Sequence, residues 1–226
     1  MDSAAARGEL DAVEITTGAD PTAAVVWLHG LGADGHDFEP LVPWLEWPGA
    51  PAIRYVFPHA PIRPVTVNGG MQMRAWYDIK GINIDRDQDE AGIEESVGQA
   101  TALVRREQER GIDPARIVVA GFSQGGAIAL LCALRYPEKL AGLIALSTYM
   151  LQADRLEAER QTANDGMPVF MAHGMADPIV PLHLGSQAAD RLRGLAYSVE
   201  WQQYPMQHAV CPEEIEHIAG WLQKRF

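Results

Sequence analysis

The stretch Arg116 to Tyr136 constrains this chain most: R-I-V-V-A, then G-F-S-Q-G-G, then A-I-A-L-L-C-A-L-R-Y. Ile117 to Ala120 is a short apolar run rich in β-branched residues, which predicts a strand covered on both faces. From Gln124 through Leu134 the chain is apolar on every side, the pattern of a helix buried under its neighbours. Between them Gly121, Phe122, Ser123, Gln124 and Gly125 spell G-x-S-x-G. A turn that tight puts Ser123 in strained backbone angles with its hydroxyl aimed away from the sheet, and glycine two residues either side avoids a collision. The helix then begins beside Ser123, so its free N–H groups face any negative charge that develops there. A glycine-rich turn in any doubly wound sheet would also carry this pattern. The flanking strand and apolar helix are the context that favours a nucleophile.

The rest of the chain alternates strands and helices. Strands are expected at Ala12–Thr17 (an edge), Ala23–Leu28, Ile53–Phe57, Ala141–Ser147, Val169–His173 and Tyr197–Tyr204. Helices are expected from about Asp37 to Trp44, over Glu90–Arg110 and Pro181–Arg193, and from Pro212, with Ile215, Ile218, Leu222 and Phe226 on one face. Leu151 to Asp165 reads as a short helix plus loop, and Pro58 to Asn83 as a long irregular segment, a kind of loop that tends to be functional. Such alternation predicts an α/β fold: a mainly parallel sheet with helices on both faces. No linker or composition break divides residues 1–226, so one domain is expected.

Composition narrows the partners. With 30 Asp and Glu against 18 Lys and Arg, the net charge of −12 repels phosphate backbones, so no nucleic acid is expected. Two cysteines, Cys132 and Cys211, give no disulfide framework and suit a reducing, cytoplasmic setting. The first residues lack the apolar core of a signal peptide, and no apolar run approaches the ~18 residues of a membrane span. The acidic run at Asp85, Asp87, Asp89 and Glu90 does not fit a calcium loop: Glu90 stands where glycine is needed, and Ser96 where the closing glutamate belongs. Carboxylates at a helix N-terminus account for it, and no metal is expected.

In a parallel sheet, functional groups gather at the carboxyl ends of the strands. A serine at its ordinary pKa needs a base, and the base needs an orienting acid, in the order Ser, Asp or Glu, His for this topology. Of seven histidines, His29 and His173 precede glycines at strand ends, where packing or backbone hydrogen bonding is expected. His36 and His59 precede Ser123, while His183 and His217 fall on helices, the latter off the apolar face. His208 is left, in the loop between the last strand and the last helix. Asp177, just past a strand end in A-D-P, lies between Ser123 and His208 in order and is preferred to Asp154, Asp165 and Asp190. Asp-Pro is also a common turn, and only the other two residues favour Asp177. For an oxyanion, one donor is expected from the N–H of Gln124 and the other from the N–H of Leu31, in the loop H-G-L-G. A plain glycine turn is the lesser alternative for that loop.

L-H-G-L-G-A-D-G-H-D-F, F-P-H-A-P, M-R-A-W-Y-D-I, A-G-F-S-Q-G-G-A, A-H-G-M-A-D-P-I-V-P and Y-P-M-Q-H, in that order from about Ala24 to the C-terminus, resemble the small carboxylesterase/acyl-protein thioesterase family of α/β-hydrolases. The resemblance implies an α/β-hydrolase fold with minimal cap, and Ser123, Asp177 and His208 as triad. It implies oxyanion N–H groups on Leu31 and Gln124, and hydrolysis of esters, acyl-thioesters or lysophospholipids without metal or cofactor. It also carries the expectation of a homodimer. Two departures stand out: Gln207 where the family usually has glycine, and Met175 where a small or polar residue is more usual. Both are expected to narrow the site or make it more apolar. Met71, Met73 and Trp76 either form an adaptable apolar wall for an acyl chain or are simply core, and Val180 is expected as a further contact. Lactone or amide cleavage uses the same triad, and a binding protein on a hydrolase scaffold is the rival from another class.

Overall fold

The computed structural model describes residues 10–81 and 87–226. The expectations for the chain start and for Asp85 in the acidic run fall on residues 1–9 and 82–86, outside the described residues.

Seven strands form one sheet in the order β1-β3-β2-β6-β7-β8-β9. These are β1 (Ala12–Thr16), β2 (Ala23–Leu28), β3 (Ile53–Pro58), β6 (Ile117–Phe122), β7 (Gly142–Leu146), β8 (Pro168–Gly174) and β9 (Ser198–Tyr204). Only β1 runs antiparallel, against β3 at the edge; every other pairing is parallel. Parallel strands need long return connections, and α1 (Glu90–Glu109), α2 (Gln124–Arg135), α3 (Ala153–Glu159) and α4 (Leu182–Gly194) lie along them, while α5 (Pro212–Gln223) follows the last strand.

Strand alternation sorts the core into two layers. Ala24, Val26 and Leu28 of β2 pack with Val119, Leu143 and Val169 beneath α1, α2 and α4. Val25 and Trp27 face the other way, toward Ile144, Phe170 and the apolar side of α5. Ile215, Ile218 and Leu222 are buried as their spacing predicts, joined by Trp221. Every residue of α2 from Gln124 to Leu134 is buried. At roughly 2 kcal/mol for each large apolar side chain removed from water, Ile128, Leu130, Leu131 and Leu134 anchor this helix firmly to the sheet. Among the described residues no helix is long and apolar enough to cross a membrane.

Two segments differ from expectation. Glu39–Trp44 is a 3-10 helix rather than an α-helix: Pro40 in its first turn costs no bond, but Pro43 inside it removes an N–H donor that an α-helix would use. The described part of the Pro58–Asn83 segment is not irregular. It holds an antiparallel hairpin of β4 (Ile62–Val65) and β5 (Met71–Arg74), turned through Thr66–Asn68 and two glycines of positive φ, Gly69 and Gly70.

The glycines around Ser123 make a direct stability contrast. A Cβ on Gly125 would lie 2.4 Å from the His29 carbonyl oxygen and 2.5 Å from that of Leu28. Gly98, exposed in mid-α1, has nothing within 4 Å of a built Cβ. Gly125→Ala is expected to destabilise by about 3 kcal/mol or more through overpacking. Gly98→Ala is expected to stabilise by about 0.5–1 kcal/mol. Urea denaturation of the two variants checks this, and equal midpoints would contradict it.

Candidate active site

The carboxyl ends of β2, β6, β8 and β9 lie along one edge of the sheet, with β7 between β6 and β8, and each feeds a loop that carries one polar group. At the end of β6, Ser123 adopts φ 54° and ψ −121°, a region that non-glycine residues enter only under constraint. Its backbone is held by N–H donation to the Leu146 carbonyl (2.8 Å) and by the Thr148 hydroxyl, which donates to the Ser123 carbonyl (2.7 Å). A Cβ on Gly121 would meet the Gly125 carbonyl at 2.4 Å, so both flanking glycines are needed for this turn. The first N–H of α2 with a backbone acceptor is that of Ala127, bonded to the Ser123 carbonyl at 3.1 Å. The N–H groups before it stay free, as at any helix start.

Asp177 follows β8 in a tight turn that orients its carboxylate. Oδ1 accepts the N–H groups of Ile179 (2.8 Å) and Val180 (2.9 Å), and Oδ2 accepts His208 Nδ1–H at 2.6 Å. The Asp177 side chain is fully buried. His208 Nε2 lies 2.9 Å from Ser123 Oγ, and its ring packs against Phe122, centroids 4.8 Å apart. The loops bearing acid and base are clamped together: a Cβ on Gly174 would meet the Gln207 carbonyl at 2.2 Å, and Ala176 N–H donates to the Met206 carbonyl at 3.1 Å. With Nδ1–H committed to the carboxylate, Nε2 is the acceptor that faces the serine hydroxyl. Such a relay can take up the serine proton as Oγ attacks an electrophilic carbon.

Ser123 and His208 open into a cavity of about 240 Å³. Leu31 and Gln124 line it with them, and neither backbone N–H has an acceptor among the described residues. The apolar wall is made by Ile79, Tyr149, Ile179 and Val180. Of the four residues offered as substrate contacts, Val180 lines this cavity and the other three do not. Met71 is exposed on β5, Met73 Sδ accepts an N–H of Asn68 at 3.3 Å, and Trp76 is wholly buried. Gln207 is exposed and Met175 is 51% exposed, and neither lines the cavity, so the two departures leave its wall unchanged. Sequence reasoning missed Tyr149, Ile79 and Ile179. Tyr149 stands three residues past the end of β7, a strand-end position that would have flagged it.

The two strand-end histidines are structural, as expected. His173 Nε2–H donates to the Val180 carbonyl at 2.8 Å. His29 Nδ1–H donates to the Gly30 carbonyl (2.7 Å), leaving Nε2 to accept the Ala60 N–H (3.0 Å). His217 is exposed, with Nδ1 2.7 Å from the Tyr204 hydroxyl. Among the described residues no group of three His, Cys, Asp or Glu side chains is placed to hold a metal ion.

Comparison with known proteins gives the family. The phospholipase/carboxylesterase family model matches residues 10–226. The chain belongs to that family. It is a hydrolase of the α/β-hydrolase fold. Acyl-protein thioesterase 1 of Gibberella zeae is 39% identical over 213 residues, 90% of this chain and 91% of that protein. The Neurospora crassa protein of the same name is 40% identical over 213 residues, covering 90% and 87%. Among solved structures, acyl-protein thioesterase 2 of Zea mays superposes with a TM-score of 0.79 at 28% identity, covering 95% of this chain and 99% of that one. Arabidopsis thaliana SOBER1 gives 0.84 at 28%, covering 90% and 98%.

Burial lowers the pKa of His29 to about 4, because the imidazolium would lose its water. Geometry agrees, since a proton on Nε2 would oppose the Ala60 N–H. The folded state therefore binds fewer protons at this site than the unfolded chain, and the stability this contributes is lost as pH falls from 6.5 toward 4, by roughly 3 kcal/mol in all. Imidazole ¹⁵N NMR at pH 5.5 is expected to find His29 neutral with its proton on Nδ1. A charged His29 at that pH would contradict the arrangement.

Proposed function

We propose that this hydrolase cleaves carboxylic esters of short to medium acyl chains and acyl-thioesters through an acyl-enzyme on Ser123. The observation that carries the reading is His208, hydrogen-bonded on one side to Asp177 and on the other to Ser123. Ser123 Oγ attacks the acyl carbonyl while its proton passes to His208 Nε2. Asp177 holds the imidazole in the required tautomer and stabilises the imidazolium. The N–H groups of Leu31 and Gln124 bind the oxyanion, and the N-terminus of α2 adds its partial positive charge. The leaving alcohol or thiol departs with the His208 proton. Water, deprotonated by His208, then attacks the acyl-enzyme and releases the acid.

The names of the fungal and plant relatives support acylated proteins as one substrate class for this chain. We carry forward residues 1–226 as one catalytic domain, supported by a single large sheet with strands drawn from Ala12 to Tyr204. A homodimeric, cytoplasmic protein belongs to the same proposal. Family resemblance supports the dimer, and the free Cys132 and Cys211 support a reducing compartment.

Ser123→Ala is expected to lower kcat for p-nitrophenyl esters and for an acyl thioester by about six orders of magnitude, leaving the fold intact. A variant that retains near-normal turnover would refute the triad. Chain length is read by the wall. Val180→Phe is expected to shift the optimum across p-nitrophenyl esters toward shorter acyl groups, while Met73→Ala leaves it unchanged. The reverse pattern would move the acyl site to the hairpin.

A further inference from the structure

Trp76 lies outside the cavity, yet its hydrogen bonds converge on the two chain segments that bear the oxyanion donors. Its indole Nε1–H donates to the His29 carbonyl at 2.8 Å, two residues before Leu31. Its backbone N–H donates to Gln124 Oε1 at 2.9 Å, and Gln124 Nε2–H returns a bond to the Tyr77 carbonyl at 2.8 Å. On the far side of Leu31, Gly32 N–H donates to the Arg74 carbonyl at 2.8 Å. The segment Arg74–Tyr77 thus grips the β2 loop on both sides of Leu31 and holds the side chain of Gln124. The segment is itself fastened: the Ser96 hydroxyl of α1 donates to the Trp76 carbonyl, and Arg74 donates to the Ala60 carbonyl at 2.8 Å. Trp76 and Gln124 are buried almost completely, so these bonds meet no competition from water.

An oxyanion hole works only if its donors are already aimed where the charge will form. Leu31 and Gln124 are far apart in sequence, and no bond joins their own backbones among the described residues. We propose that Trp76 is a positioning residue for the oxyanion hole. Through its indole it sets the β2 loop, and through its amide it sets Gln124, so that both N–H groups address one point. This rests on the reading of Leu31 and Gln124 as the oxyanion donors. It also says why Trp76 is placed in the core and not in the acyl wall.

The test uses two variants of the whole protein. Trp76→Phe keeps a buried aromatic ring, removes the indole donor and leaves a smaller side chain. Gln124→Glu keeps an acceptor for the Trp76 N–H and removes the donor facing Tyr77. Each is assayed for kcat and KM on a p-nitrophenyl ester. Each is also assayed for inhibition by an acyl trifluoromethyl ketone, whose carbonyl carbon bonds to Ser123 Oγ as its oxygen becomes an oxyanion, and by the corresponding trifluoromethyl alcohol, which cannot form that bond. Both variants are expected to lose about tenfold to a hundredfold in kcat, less than deleting a donor outright. KM should hold within about twofold, ketone affinity should fall by the same factor as kcat, and alcohol affinity should be unchanged. Unchanged kcat and ketone affinity in a folded Trp76→Phe protein would overturn the proposal. So would equal losses for ketone and alcohol, or failure of both variants to fold, since the bonds would then serve the fold rather than the site. If one variant alone folds, that variant decides. Wild-type protein indifferent to the ketone would instead remove the Ser123 reading on which the proposal stands.

Discussion

At the end of β2 the carbonyl groups of Leu28 and His29 press against Gly125, while Gly121 of β6 presses against the Gly125 carbonyl. No side chain fits between these backbones, and none is present. The contact brings the first turn of α2 down onto the strand ends and leaves Ser123 with a positive φ at the crest of the turn. A residue held there stores of order 1–3 kcal/mol. The wholly buried face of α2 offsets that strain, because releasing the turn would withdraw the helix from the core. The same contact sets the start of α2 beside the β2 loop, so that Gln124 and Leu31 share one cavity.

Chemistry then depends on three loops converging above that turn. Ser123 and His208 are far apart along the chain, and the parallel sheet brings them together by aligning the ends of β6, β8 and β9. Glycine recurs at the decisive approach: Gly174 admits the carbonyls of Met206 and Gln207, which locks the acid loop to the base loop. Asp177 is oriented by two backbone N–H groups before it meets His208, so the imidazole finds its partner already aimed. The relay is therefore assembled in the resting protein, and little reorganisation remains for the moment of reaction.

Much of this was legible because backbone necessity writes itself in glycine, and burial in apolar runs. The elbow, the strand ends and the order Ser123, Asp177, His208 were readable from residues alone, and a turn falls at Asp177-Pro178, as Asp-Pro predicts. The hairpin β4–β5 was not. Its strands are four residues long, Pro64 interrupts one of them, and the alternation of Met71-Gln72-Met73-Arg74 is too short to stand out, although Asn68-Gly69-Gly70 marks the turn. The 3-10 helix at Glu39–Trp44 was hidden because apolar spacing does not separate it from an α-helix; only the interior Pro43 does. The lining of the cavity was not legible for another reason. Met73 and Trp76 have the right chemistry for a lipid contact, but composition cannot say whether an indole faces a cavity or the core. Tyr149, Ile79 and Ile179 enter the wall through the placement of loops, which no local pattern encodes.

The central claim is that one serine hydroxyl, activated by His208 and Asp177, attacks a carbonyl whose oxygen is received by two backbone amides from different loops. A crystal structure of the protein after reaction with an alkyl fluorophosphonate tests this directly. The account predicts phosphorus bonded to Ser123 Oγ, with the phosphoryl oxygen about 3 Å from both the Leu31 and the Gln124 nitrogens. The imidazole of His208 should still be bonded to Asp177. An adduct on another side chain, or a phosphoryl oxygen turned to solvent away from both amides, would contradict it.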